Sequence, residues 1–372
     1  MQNSIIPVTS PFIPDRDRLY KLLDKAMDSK YLTNNGPISL ELEEKLSNYL
    51  NYPYLSLCNN ATIGLIIALK ILQISGRVIT SPFSFPATLN SIYWNNLNFN
   101  FVDIKPNTCN MDPDCLEKCL KELAVLSDSK NCIMPIHCYG IPVDTFEISK
   151  LAEKYNTYIL TDAAHAFGIQ DNSRSNILGF GDISVISSHA TKVFSTIEGG
   201  IVAFKTEELK KEFDSIRNFG LDSAGNFRNF GINAKLSEFH AAFGLCMLDR
   251  IDEALEKRKQ IALCYISELA SQNSVRLLFD SESSLTNCSY FPIVINESSN
   301  YTRDELRAIL KSKGIESRAY FYPLLSNDKS LDRKLPVAES IAQNILCLPI
   351  FPDLEIEQVK YISRVLIDLL AS

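Results

Sequence analysis

Short apolar runs alternate with amphipathic segments over residues 55–205. This pattern is typical of the α/β class, in which helices cover a mostly parallel sheet. It predicts helices at Ala61–Leu72, Ala87–Trp94 and Glu147–Tyr155. It predicts strands at Val78–Ser81, Asn100–Val102, Cys132–Ile136, Thr157–Asp162, Ile183–Ser187 and Gly200–Phe204. Chemistry on such a sheet is expected at the carboxyl ends of the strands, where the loops converge on a crevice.

Longer, charged helical patterns follow at Glu207–Asn218 and Ser237–Leu269. The pattern in the tail predicts strands at Cys288–Val294 and Arg318–Tyr322. It predicts helices at Thr302–Lys313 and Glu355–Leu370. A T-x-x-E capping box at Thr302–Glu305 marks the start of the first of these helices. No Pro/Ser/Gly-rich linker separates the two regions. We therefore predict a large domain over residues 1–235 and a smaller α+β domain over residues 236–372, packed firmly on it.

Composition narrows the class of protein without identifying it. The 372 residues are 46% hydrophobic and 22% charged, as expected for a folded globular chain. The net charge is −7, from 37 Lys and Arg against 44 Asp and Glu, which disfavours a nucleic-acid partner. The longest apolar runs, such as Leu65–Leu72 and Val365–Ala371, are too short or too charged to span a bilayer, so no membrane partner is expected.

Ten cysteines are scattered from Cys58 to Cys347 without a repeated C-x-x-C pair. This spacing does not support a zinc site, and no metal is expected. Residues 1–14 do not show the charged start and apolar run of a signal peptide. We therefore expect reduced thiols and a cytoplasmic protein.

The segment Thr161–His165, which contains the acidic residue Asp162, directly follows the apolar run Thr157–Leu160. A carboxylate at the end of a buried strand points into the crevice. Taken alone, Asp162 is better explained as the N-cap of a helix. Two alanines separate it from His165, and such small residues indicate that a flat group approaches the backbone closely.

The segment Ser187–Lys192 ends the next strand and is followed by Glu198-Gly199-Gly200. A single lysine is usually a solvated surface group. Lys192, however, lies between two apolar strands, among hydroxyl-bearing and small residues. A lysine that is removed from water becomes less basic and can act as an amine nucleophile, as Schiff-base chemistry requires.

The segment Cys58–Gly64 supplies small and polar residues at the start of a predicted helix. The free N–H groups of a helix start, together with the Thr62 hydroxyl, can bind an anion. The chain contains neither G-x-G-x-x-G nor G-x-x-x-x-G-K-[ST], which disfavours a nicotinamide oxidoreductase. An anion site, an acid and a lysine at strand ends are together the groups that pyridoxal 5'-phosphate (PLP) needs.

Three segments carry a family resemblance: Asp162–His165, Ser187-x-His189-x-x-Lys192 with its trailing glycines, and Gly231–Glu238. They are similar to the nucleotide-sugar aminotransferases of the DegT/StrS type. The similarity extends to Leu32–Pro37 and Leu346–Pro352, and so covers nearly the whole chain. It implies a PLP-dependent transferase of fold type I, with a large domain built on a mostly parallel sheet and a smaller α+β domain.

The resemblance also implies roles in catalysis. Lys192 would form the Schiff base and then move a proton between cofactor and sugar, and Asp162 would pair with the pyridinium nitrogen. His165 would lie near the ring and its phenolic oxygen. Phe85 would stack on the ring face, although an ordinary core phenylalanine is the alternative.

Further roles follow for binding. Ala61, Thr62 and Ser187 would hold the cofactor phosphate, and Asn233 would reach in from the partner subunit of a homodimer. The nucleotide diphosphate of the sugar substrate is anionic, so it needs local cations or donors. The candidates for this contact are His189, Arg228, Lys235, Arg318 and Tyr320.

The implied reaction is a transamination between L-glutamate, which leaves as 2-oxoglutarate, and a keto group on a nucleotide-linked sugar. Residues 33–37 and the opening Ile6–Pro11 most resemble the branch that aminates C4 of a dTDP-linked 4-keto-6-deoxyglucose for O-antigen assembly. Amination at C3 of the corresponding 3-keto sugar is the alternative. A PLP-binding sensor without turnover is an alternative of a different class.

Overall fold

Two sheets, one large and one small, organise the chain. The computed structural model describes residues 5–126, 129–170, 176–279, 287–327 and 334–371. The strands are β1 (Leu55–Cys58), β2 (Arg77–Thr80), β3 (Asn98–Phe101), β4 (Cys132–Ile133), β5 (Tyr158–Asp162), β6 (Ile183–Ser187), β7 (Gly200–Phe204), β8 (Val275–Leu277), β9 (Phe291–Ile295) and β10 (Ile345–Leu348). The helices are α1 (Arg16–Ser29), α2 (Pro37–Tyr49), α3 (Ala61–Ile71), α4 (Pro86–Trp94), α5 (Pro113–Leu126), α6 (Thr145–Lys154), α7 (Glu207–Ile216), α8 (Glu238–Leu248), α9 (Ile251–Leu269), α10 (Arg303–Ser312), α11 (Pro336–Asn344) and α12 (Ile356–Ala371).

The large sheet has seven strands in the order β1-β7-β6-β5-β4-β2-β3. Five neighbouring strands run parallel to one another: β3, β2, β4, β5 and β6. Strand β7 is antiparallel to both of its neighbours, β1 and β6. This architecture confirms the predicted α/β class with a mostly parallel sheet. The carboxyl ends of β5 and β6 therefore lie side by side, next to the start of β7.

Helix α3 lies unusually close to the sheet. A Cβ atom added to Gly200, at the start of β7, would lie 2.8 Å from the Cys58 sulfur and 2.9 Å from the Ala61 amide nitrogen. A Cβ atom on Gly64 would lie 3.0 Å from Val185 in β6. These glycines let the first turn of α3 pack against β6 and the start of β7.

The small sheet is antiparallel, in the order β10-β9-β8. It buries one cluster of apolar side chains with α9 and α12, in which Tyr265 and Phe291 stack with ring centroids 4.7 Å apart. The same cluster includes Phe83 and Tyr139 from loops of the large sheet. The two sheets therefore share a packed apolar boundary.

Two predicted elements are wrong. The pattern Ser237–Leu269 folds as two helices, because Arg250 adopts non-helical dihedral angles (φ −126°, ψ 13°). The break sends α8 against α1 and α2 while α9 packs on α12. Arg318–Tyr322 is not a strand: only Arg318 forms a bridge, to Cys347, and the chain then turns.

Other differences are smaller. Strand β4 ends at Ile133, shortly before Pro135, which has no N–H group to donate to a ladder. The capping box at Thr302 is present, with Thr302 Oγ1 and the Glu305 carboxylate each accepting from the other residue's backbone. The domain boundary after residue 235 stays a prediction. Among the helices in the described part of the chain, none has the length and apolar character needed to cross a membrane.

Candidate active site

A cavity of about 350 Å³ opens at the carboxyl ends of β5 and β6, between the large and the small sheet. Most of the predicted site residues line it: Ala61, Thr62, Phe85, Asp162, His165, Ser187, His189, Lys192, Arg318 and Tyr320. Its volume is within the range of small-molecule sites. The fold thus brings residues from at least four separate segments to one place.

Lys192 lies in the loop that follows β6. Its amine Nζ donates a hydrogen bond to the Tyr290 hydroxyl at 3.2 Å and lies 5.7 Å from the centre of the Tyr290 ring. Removal from water lowers the pKa of the amine to about 8, although the nearby Asp162 carboxylate opposes this shift. A substantial fraction of the amine is therefore neutral, and nucleophilic, near neutral pH.

Asp162 is the last residue of β5, and 5% of it is exposed. Its Oδ2 accepts a hydrogen bond of 2.6 Å from the Thr88 hydroxyl, and its Oδ1 accepts one of 3.2 Å from the Ala164 N–H. Burial raises the pKa of the carboxyl group, whereas the two hydrogen bonds and the Lys192 charge lower it. The carboxylate lies at the cavity wall and does not cap a helix.

The first turn of α3 supplies the anion site. Asn60 caps this helix, its side-chain oxygen accepting from the Ile63 N–H at 2.9 Å. The N–H groups of Ala61 and Thr62 belong to the first turn, where a helix offers no backbone acceptor. Both residues line the cavity, as does Ser187 at the end of β6. Amides and hydroxyls in this arrangement suit a phosphate group.

His165 is buried against the aromatic wall of the cavity. Its Nδ1 accepts from the Tyr139 N–H at 3.2 Å, which leaves Nε2 as the protonated nitrogen. Its ring lies parallel to that of Phe321, with centroids 5.9 Å apart, and 4.8 Å from that of Tyr290. Burial lowers the pKa of the imidazole well below its usual value, with the Lys192 charge adding to the effect. His165 is therefore a neutral donor.

Phe85 precedes α4 at the edge of the cavity. It is 57% exposed, so the alternative of a core phenylalanine is wrong. Pro86 occupies the first position of α4. The Thr88 N–H donates to the Phe85 carbonyl at 3.2 Å and so closes the first turn. An exposed aromatic face at a cavity is a surface on which a flat ring can stack.

Polar groups surround the cavity entrance. Arg318 donates to the Tyr320 hydroxyl, and its guanidinium lies 5.6 Å from the centre of that ring. His189 Nε2 lies 3.6 Å from the Glu198 carboxylate. The Tyr320 carbonyl accepts a hydrogen bond from the Tyr139 hydroxyl, which links this loop to a loop of the large sheet. Arg318 thus places a positive charge at the cavity.

Three predicted residues do not line the cavity of their own chain. Arg228 is exposed and donates to Asp222 at 2.6 Å. Lys235 is mostly buried, with its amine 4.3 Å from the centre of the Phe219 ring. Asn233 is exposed and pairs through its backbone with Asn218. The structure therefore does not bring these three together with Lys192.

Sequence reasoning missed several residues of the site. Tyr290 and Phe321 come from the small-sheet region, and no local pattern links them to Lys192. Ser84 and Thr88 lie in the same segment as Phe85, and the hydroxyl-bearing side chains on either side of that residue were the available signal. Ser84 precedes α4, Thr88 lies in its first turn, and their hydroxyls meet beside the Asp162 carboxylate.

These residues fit PLP. The cavity holds an amine of lowered pKa for the aldehyde, a buried carboxylate for the ring nitrogen, an anion site for the phosphate and an exposed aromatic ring. Among the described residues, no group of three or more His, Cys, Asp and Glu side chains is arranged to hold a metal. All ten cysteines are described, and none forms a disulfide bond.

Comparison with known proteins agrees with this geometry. The dTDP-4-amino-4,6-dideoxy-D-glucose transaminase of Shigella dysenteriae is 40% identical over 95% of this chain and 96% of its own length. The Escherichia coli transaminase of the same name is 38% identical over 99% of both chains. The crystal structure of DesI with its TDP-sugar product aligns with a TM-score of 0.90 at 30% identity, covering 98% of this chain and 92% of DesI. The model of the DegT/DnrJ/EryC1/StrS aminotransferase family matches residues 15–366, and the chain belongs to this family of PLP-dependent aminotransferases.

Proposed function

We propose that the enzyme transfers an amino group from L-glutamate to C4 of dTDP-4-keto-6-deoxy-D-glucose, giving dTDP-4-amino-4,6-dideoxy-D-glucose. The observation that carries the proposal is the near full-length similarity to two transaminases named for this product. The cavity supports it, since Lys192 and Asp162 meet there with an anion site. The product would serve the assembly of O-antigen or another surface polysaccharide.

The side chains have distinct roles in this proposal. Bound PLP supplies a carbonyl that condenses with amines and a ring that delocalises negative charge. Lys192 Nζ holds the cofactor and moves the proton between cofactor and substrate carbons. Asp162 holds a proton on the ring nitrogen. The neutral His165 donates from Nε2 toward the phenolic oxygen, and Phe85 supports the ring face.

Binding is divided between the two sheets. Ala61, Thr62 and Ser187 hold the phosphate of the cofactor at the first turn of α3. The aromatic wall of Tyr290 and Phe321 excludes water from the reacting atoms. Arg318, with Tyr320 and His189, contacts the anionic groups of the substrates at the entrance.

Product analysis tests the proposed reaction. Purified enzyme with PLP and glutamate is incubated with the 4-keto sugar or with the 3-keto sugar, and NMR locates the new amine. We expect an amine on C4. An amine on C3 supports the alternative regiochemistry instead. A protein whose yellow colour is not bleached by glutamate supports the alternative of a sensor without turnover.

We also propose that the active unit is a homodimer. The hairpin of residues 218–233 exposes Phe219 (50%), Phe227 (72%), Phe230 (50%) and Ile232 (43%). Exposed apolar residues that are contiguous in this way mark a protein interface. A second copy of the chain that covers the hairpin would place Asn233 in its partner's cavity.

Subunit mixing tests this arrangement. In a mixture of Lys192→Ala and Asn233→Ala chains, the mixed dimer contains one site with both Lys192 and Asn233. We expect each variant alone to be impaired and the mixture to recover about a quarter of the wild-type rate, because about half of the dimers are mixed. No recovery, or full activity of Asn233→Ala alone, contradicts the role of Asn233.

The proposed cellular compartment is the cytoplasm. Its support is that the ten cysteines form no disulfide bonds, as is typical of reducing compartments. Eight of the ten are buried, and Cys115 and Cys264 are partly buried, so they behave as apolar packing residues. Fractionation of cells that express the native chain checks this proposal.

A further inference from the structure

Two buried hydroxyl groups form a chain that ends on the Asp162 carboxylate. The Thr88 Oγ1 lies 2.6 Å from Asp162 Oδ2, and the Ser84 Oγ lies 2.6 Å from Thr88 Oγ1. Thr88 is fully buried, and Ser84 is 4% exposed at the cavity wall. Neither residue has a part in the roles described above.

The direction of the hydrogen bonds follows from the chemistry of the groups. A hydroxyl has one proton to donate and two lone pairs that accept, whereas an ionised carboxylate only accepts. Thr88 must therefore donate to Asp162, and Ser84 must donate to Thr88. Because the Ala164 N–H donates to the other carboxylate oxygen, Oδ1, the plane of the carboxylate is held at both oxygens.

The hydrogen bond from Thr88 to Asp162 also offsets part of the cost of burying the charge of the carboxylate. Burial raises the pKa of Asp162, and the Thr88 hydroxyl is the largest influence that lowers it again. Hydrogen bonds to an ionised acceptor are shorter and stronger than bonds between neutral groups. The distance of 2.6 Å agrees with a bond of this kind.

We propose that Thr88, oriented by Ser84, is a positioning residue that keeps Asp162 ionised and turned toward the ring nitrogen of the cofactor. This inference rests on the role of Asp162 in the proposed function. The segment 84–88 would then serve the cofactor twice, with Phe85 at the ring face and Thr88 behind the carboxylate.

Cofactor binding without any sugar tests the inference. Pyridoxamine 5'-phosphate, labelled with ¹⁵N in the ring, is titrated into the cofactor-free full-length variants, since it binds without a covalent bond to Lys192. Thr88→Val removes the hydroxyl at nearly constant shape, and Thr88→Ser retains it. Ser91→Ala is the matched control, because Ser91 is an equally buried hydroxyl of α4 that donates to the Thr88 carbonyl instead.

We expect Thr88→Val to weaken binding by about tenfold or more and to shift the ring ¹⁵N resonance toward the unprotonated position. Thr88→Ser should restore both values, and Ser91→Ala should match the wild type. Ser84→Ala should weaken binding by about threefold, since Thr88 still donates. If Thr88→Val fails to fold, the Ser84→Ala variant tests the proposal in its place.

Asp162→Asn separates the role of Thr88 from the role of Asp162. If Asp162→Asn changes affinity and resonance but Thr88→Val and Ser84→Ala do not, the positioning role is overturned and the role of Asp162 survives. If Asp162→Asn changes neither, the role of Asp162 fails, and the inference with it. A Thr88→Val variant that loses thermal stability equally with and without cofactor, at wild-type affinity, shows a merely structural residue.

Discussion

The two walls of the cavity differ in chemistry. The large-sheet wall carries the amine of Lys192, the carboxylate of Asp162 and the first turn of α3. The small-sheet wall carries mainly rings, from Tyr290, Tyr320 and Phe321, with Arg318 as its cation. The first wall is suited to hold a cofactor and move protons, and the second to orient a substrate and exclude water.

This division predicts how substitutions act. Removing a reacting group from the large-sheet wall should lower kcat, because the interaction is made with the reacting atoms. Removing a group from the small-sheet wall should act mainly on KM.

The largest effect is expected for Lys192→Ala. The variant should bind PLP without a covalent bond and lose about 10⁴-fold or more of its transamination rate, because it lacks both the nucleophile and the proton carrier. Lys205→Ala is the matched control, since Lys205 is an exposed lysine paired with Asp182. Turnover of Lys192→Ala at the wild-type rate would rule out the proposed mechanism.

Asp162→Asn should lower kcat by about 10² to 10³-fold, with little change in the KM for the sugar. The amide has nearly the same shape as the carboxylate but cannot keep the ring nitrogen charged. Steady-state kinetics with both substrates checks this. A rise in KM at unchanged kcat would instead place Asp162 among the substrate-binding groups.

The attachment of PLP to Lys192 should depend on pH in a defined window. Only the neutral amine reacts, and the pKa of Lys192 is lowered to about 8. The rate should therefore rise by about 50-fold between pH 6 and pH 8 and level off above about pH 9. Borohydride trapping at timed intervals measures this rate, with Lys192→Ala as the blank. A rate that continues to climb beyond pH 10 contradicts the lowered pKa.

The smallest effect is expected on the small-sheet wall. Arg318→Ala should raise a substrate KM by about tenfold and change kcat by less than about threefold, because it removes one charged contact at the entrance. Arg307→Ala, an exposed arginine of α10, is the control. Equal kinetics of the two variants would show that Arg318 does not contact the substrate.

The same contrast explains what the sequence could and could not predict. Strands β6 and β7 have the predicted bounds, Asp162 is the last residue of β5, and Lys192 lies in the loop after β6. Local patterns are enough there, because a strand that is buried on both faces is a continuous apolar run, and the polar residues of the site follow it closely in the chain. The roles of these residues stay predictions until they are tested.

The small-sheet wall was less predictable, because long-range packing builds it. The segment from Arg318 to Tyr322 alternates like a strand but turns toward the cavity, where Tyr320 contacts Tyr290 and Phe321 contacts His165. Tyr290 meets Lys192 across 98 residues of chain. Such contacts leave no periodic signal in either segment.

The first turn of α4 has an evolutionary consequence. It joins the exposed ring of Phe85 to the hydroxyl of Thr88 within one helical turn. An insertion or deletion between them would rotate Thr88 by about 100° around the helix axis and carry it away from Asp162. The length of this segment should therefore be invariant among active relatives, while residues on the outer face of α4, such as the 76% exposed Trp94, are free to vary.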